Sequence, residues 1–86
     1  MIHSEHQVRG ILEVINAMRE CIALSPYECK FLLEAERLFL EAAKAHSEGI
    51  LADAERAGTQ AMNLIERLDE KTYGYHKEAI RSLVVL

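Results

Sequence analysis

Eighty-six residues with a net charge of −4, half of them hydrophobic and including only one proline and four glycines, make at most one small domain. That composition excludes a disordered tail and a loop-rich disulfide scaffold, and leaves a chain built of helices. Thirteen of the fourteen acids but seven of the ten bases fall in residues 1–70, so no stretch reaches the basic density of a nucleic-acid footprint.

So short a chain buries only about 60–65% of its unfolded surface. Pairing with a second copy is one of the few ways it can gain more, and a homodimer is the expectation. No run approaches the roughly eighteen apolar residues of a membrane span. Acids and histidines stand near the N-terminus where a secretion signal would be basic and then apolar, so the expected location is the cytoplasm.

Ser4-Glu5-His6-Gln7 fits the capping-box pattern that opens a helix. Val8, Ile11, Leu12, Ile15, Met18 and Ile22 follow at helical spacing, with Val14, Cys21 and Leu24 at the edges, which predicts a first helix over about 5–24. His3 and His6 bracket Glu5, but they have no third ligand placed by sequence, and no metal site is expected from them.

Ser25-Pro26-Tyr27-Glu28 is a strong start signal: a serine cap, proline at the first helical position, and a glutamate to complete the box. Gly49 is the matching stop, so the second helix should run over about 26–48. At about 100° per residue, Tyr27, Phe31, Ala35, Leu38, Phe39, Ala42 and Ala45 share one broad face, which Leu32 and Ala43 widen and Cys29, Leu33 and Leu40 extend further. The resulting apolar arc of roughly 240°, against roughly 100° for an ordinary surface helix, has to be covered on two sides. Cys21 and Cys29 lie four residues either side of Ser25; without a secretion signal both read as reduced thiols acting as small hydrophobes. His46 lies near the apolar face in the last turn, where its charge would suit the helix C-terminus.

A third helix over about 50–70 places Leu51, Ala54, Gly58, Ala61, Ile65 and Leu68 three and four residues apart, a coiled-coil-like seam. Its middle, Ala54, Ala57, Gly58 and Ala61, carries almost no side chain, so close helix packing is expected there. Glycine inside a helix costs up to about 1 kcal/mol relative to alanine, a cost best understood if a neighbour fills the space of the missing methyl.

A last helix over about 73–85 has Tyr73, His76, Ile80, Leu83 and Val84 on one face. It reads equally as a separate short helix capped by Thr72 or as a kinked continuation of the third. Its ending, Ser-Leu-Val-Val-Leu, is apolar on all sides and should be covered.

Between Leu38 and Leu64, the positions of Leu38, Ala42, Gly49, Ala54, Ala61 and Leu64 resemble one tetratricopeptide repeat. Gly58 stands where that pattern has an aromatic and Glu66 where it has a closing proline, and no second copy is present where about three are needed. The match reads as the shared grammar of antiparallel helix pairs; as a resemblance, it implies peptide binding in a concave groove.

No nucleophile stands beside a base, and no glycine-rich loop, paired-carboxylate pattern or Cys-x-x-Cys pair appears, so neither catalysis nor a cofactor is expected. The expected fold is all-α: an antiparallel bundle of three long helices and a short C-terminal one, with the second at the centre. The expected function is a small protein-protein interaction module of adaptor, chaperone or inhibitor type, self-associating through helix two and meeting another protein or peptide. Its contact residues would be Cys29, Leu33 and Leu40 with Tyr73, Tyr75, Leu83 and Leu86. The alternative is a bundle that binds or transforms a small anionic molecule through His46, Tyr73 and His76.

Overall fold

The computed structural model describes residue 2, residues 4–21 and residues 24–85, with the Cys21 side chain outside the description. Four helices and no strand are present among the described residues: α1 (Glu5–Cys21), α2 (Pro26–Ser47), α3 (Leu51–Glu66) and α4 (Glu70–Val84). α2 packs on both α3 and α1, and α1 packs in turn on α4. None of these helices is long and apolar enough to cross a membrane.

Local chemistry sets most helix ends. The Ser4 hydroxyl accepts from the Gln7 amide at 3.2 Å and starts α1. At the start of α2 the capping box closes: Ser25 Oγ accepts from Glu28 N at 3.2 Å and Glu28 Oε1 accepts from Ser25 N at 3.1 Å. Gly49, at φ +78°, ends α2 in a Schellman motif, with Ile50 N donating to Ala45 O at 2.9 Å and Gly49 N donating to His46 O at 3.1 Å.

The junction after α3 corrects the expected 50–70 and 73–85 boundaries. α3 stops at Glu66, and α4 starts at Glu70 as a separate helix capped by Asp69 rather than Thr72. Asp69 Oδ2 accepts from both Thr72 N at 2.9 Å and Thr72 Oγ1 at 2.8 Å. An aspartate that binds the backbone two or three residues on competes with continued helix, so no proline is needed for the break. With 15 residues, α4 is nearly as long as α3 with 16. The described part of α1 also ends before the expected 24, and Leu24 lies outside any helix.

The core joins all four helices. Ile11, Ile15 and Met18 of α1 meet Leu32, Ala35, Phe39 and Ala42 of α2, Ala61 and Ile65 of α3, and Tyr73, Ile80 and Val84 of α4. In α3, Ala54, Gly58 and Ala61 are buried and Ala57 is half-buried, so the small-residue stretch faces inward. Two expectations about burial change. Tyr27, in the first turn of α2, is exposed and rests edge-on against Phe31, their centroids 4.7 Å apart. At the chain end only Val84 is buried, Val85 is exposed, and Leu86 lies outside the described residues.

Candidate interaction surface

The broad apolar arc of α2 divides in two. Its inner part is the core face just described. Its outer part keeps Leu33 at 48% and Leu40 at 50% exposure, two leucines one heptad apart pointing away from the core. Cys29, one turn before Leu33, is a half-buried free thiol.

Beside this outer stripe runs a groove between α1 and α2. Val8 and Leu12 form one wall, Leu40 and Ala43 the other, and Arg9 and Lys44 stand at its rims. Further along, the Arg19 guanidinium donates to Glu36 Oε2 at 3.0 Å and ties the two helices together. The outer rim of α2 carries bases at seven-residue intervals, Lys30, Arg37 and Lys44. Arg37 is held by Glu34 and by Glu41, the latter at 2.7 Å. Lys30 and Lys44 have no ion-pair partner among the described residues.

The α3–α4 end is arranged differently from its sequence reading. Tyr73 is 1% exposed and belongs to the core, so it offers no contact to a partner. The inward stripe of α4 is Tyr73, Lys77, Ile80 and Val84, spaced four, three and four residues, which places Lys77 where the sequence reading had His76. Lys77, 3% exposed, donates from Nζ to Leu68 O at 2.8 Å and Glu66 O at 3.2 Å, and pairs with Glu70 Oε2 at 2.7 Å. A buried ammonium thus satisfies carbonyls at the end of α3, where the helix dipole favours a cation. Arg81 binds Glu66 at 2.6 Å, Glu78 at 3.1 Å and Glu70 at 3.3 Å. Hydrogen bonds from Arg81 lower the Glu66 carboxyl, those from Lys77 and then Arg81 lower the Glu70 carboxyl, and the three carboxylates raise Arg81.

Lys77 and Arg81, the bases nearest Tyr73 and His76 in sequence, are therefore occupied by the protein's own carboxylates. Nor are His46, Tyr73 and His76 gathered together. The Tyr73 hydroxyl lies near the Glu28 carboxylate at the start of α2, whereas His46 lies at the other end of that helix, about 27 Å away at 1.5 Å per residue. Burial first, and then the Glu28 carboxylate, push the Tyr73 hydroxyl up to about 12. His76 packs edge-on against Tyr75, with ring centroids 5.4 Å apart. Tyr75 is 84% exposed, and Leu83 is half-buried against Gly10. His3 and Leu86 lie outside the described residues, and no group of three or more metal-ligating side chains occurs among those described.

Three interactions that organise the molecule went unread in the sequence: Gln7 with the end of α4, Lys77 with the end of α3, and Tyr73 with Glu28. For Lys77 a signal existed, since it shares the period of Tyr73, Ile80 and Val84. No family model, no curated protein and no solved structure matches the chain.

Proposed function

We propose that this chain is a small protein-protein interaction module of the adaptor, chaperone or inhibitor type, an antiparallel helical bundle working in the cytoplasm and self-associating through α2. The observation that carries this reading is the half-exposed pair Leu33 and Leu40, on a helix whose opposite face is already filled by its own core. A lone exposed leucine is ordinary; two in heptad register beside an apolar groove suit a helix laid alongside. The cluster at the α3–α4 end has a structural role, because its bases neutralise the protein's own acids.

The double variant Leu33→Asp/Leu40→Asp tests the reading. Both positions are outside the core, so circular dichroism is expected to keep its helical signal while the molar mass by light scattering falls to that of one chain. An unchanged mass above one chain would remove this face from the interaction and overturn the proposal.

A further inference from the structure

Resting on that reading, we infer that the occupant of the α1–α2 groove is a second copy of this chain, related by a twofold axis running along the groove, so that each α1 lies against the partner's α2. Charge register selects this occupant. The outer rim of α2 carries Lys30, Arg37 and Lys44, whereas the outer side of α1 carries Glu13 and Glu20, seven residues apart, with Glu5 at the mouth of the groove.

Their heights agree. Val8 and Leu12 line the groove with Leu40 and Ala43, while Arg19, later in α1, bonds Glu36, earlier in α2, so moving up α1 corresponds to moving down α2. On that scale Glu20 lies within about one helical turn of the level of Lys30, Glu13 of Arg37, and Glu5 of Lys44. A twofold axis parallel to the helices leaves heights unchanged. It therefore sets the acids of one α1 against the bases of the partner's α2, twice over, while Leu12, Leu33 and Leu40 of both copies close over the axis. Such a contact is self-complementary, as a twofold interface must be. Arg9, four residues from both Glu5 and Glu13, tempers the acidic row without reversing its sign. Arg37 is held within its own helix, so Lys30 and Lys44 are the bases left to pair across the interface.

The test uses two charge-reversed chains, Glu5→Lys/Glu20→Lys and Lys30→Glu/Lys44→Glu. None of these four side chains has an ion pair within the described residues, so neither variant removes an internal bond. Each variant alone sets like charges against each other at both halves of the interface, and is expected to dissociate at least about tenfold more readily than the wild type. Mixed in equal amounts, the two restore opposite charges at both halves and are expected to recover the mass of a dimer. If both variants dimerise alone as well as the wild type, or if the mixture stays monomeric while the wild type is dimeric, the twofold register is overturned and self-association through α2 stands. A wild type that is monomeric throughout overturns the register and the self-association together.

Discussion

The side-chain amide of Gln7 donates from Nε2 to the carbonyl oxygen of Leu83 at 2.7 Å and to that of Val84 at 3.3 Å, so the first turn of α1 caps the last turn of α4. The last carbonyls of a helix have no partner of their own, and here a buried side chain from the opposite end of the chain supplies it. Gln7→Ala leaves those carbonyls without this donor and is expected to cost about 1–2 kcal/mol in urea unfolding. Amide exchange should rise first in the last turn of α4, with α2 and α3 unaffected. Equal loss of protection across all four helices would show that Gln7 is not a local clamp.

Burial of the Tyr73 hydroxyl near the Glu28 carboxylate predicts behaviour in alkali. The folded hydroxyl, at about 12, lies above its ordinary value of 10.0, so the unfolded chain gives up this proton first. The stability tied to that proton is present below pH 10 and is lost as the pH rises through about 12. Tyr73→Phe should therefore unfold less steeply than the wild type across this window. Parallel curves for the two proteins would contradict the assignment.

Acid should act at the α3–α4 end. Glu66 and Glu70 are both lowered from an ordinary value of 4.5, so the stability they contribute is present above that pH and is lost as pH falls through their depressed folded values. Lys77→Met removes the buried ammonium and leaves Glu66 O and Leu68 O without its hydrogen bonds, at an expected cost of about 2–3 kcal/mol at neutral pH. Because the Lys77 hydrogen bond is the first cause holding Glu70 down, the variant should also be less sensitive to acid below pH 4.5. A neutral effect of the substitution together with an unchanged acid profile would contradict this account of the cluster.

Two glycines should respond oppositely to alanine. Gly49 has φ +78° with open space around it, so a methyl meets no atom but strains the backbone; Gly49→Ala is expected to destabilise by about 1 kcal/mol. At Gly74, inside α4, a methyl would make ordinary contact with the Glu70 side chain at 3.7 Å, and Gly74→Ala is expected to stabilise by about 0.5–1 kcal/mol. Thermal melts of the two variants should move in opposite directions.

What could be read from sequence follows from how far each determinant reaches. The start of α2 was legible because Ser25, Pro26 and Glu28 act on one another within a single turn, and its end because Gly49 needs only its own backbone to form the cap. The outer leucines were legible because the apolar arc of α2 exceeds what one core can cover. The break at Asp69 was not decidable because Asp-Glu-Lys-Thr also continues a helix acceptably, and the choice is made with Lys77 and Arg81 from the next element. Gln7 and Lys77 looked like surface residues because each bonds to a carbonyl that only the folded chain brings near. Tyr27 and Tyr73 exchanged roles for the same reason: periodicity gives a face, while the neighbouring helices decide which turns of that face are covered.

The measurement that bears most directly on the central claim is the molar mass of the wild-type chain by light scattering, across a hundredfold range of concentration. The account predicts a mass approaching twice the 9.8 kDa of one chain at the high end, falling on dilution or with added salt. A mass of one chain at every concentration would contradict it, and would leave Leu33, Leu40 and the groove between α1 and α2 without the second copy assigned to them.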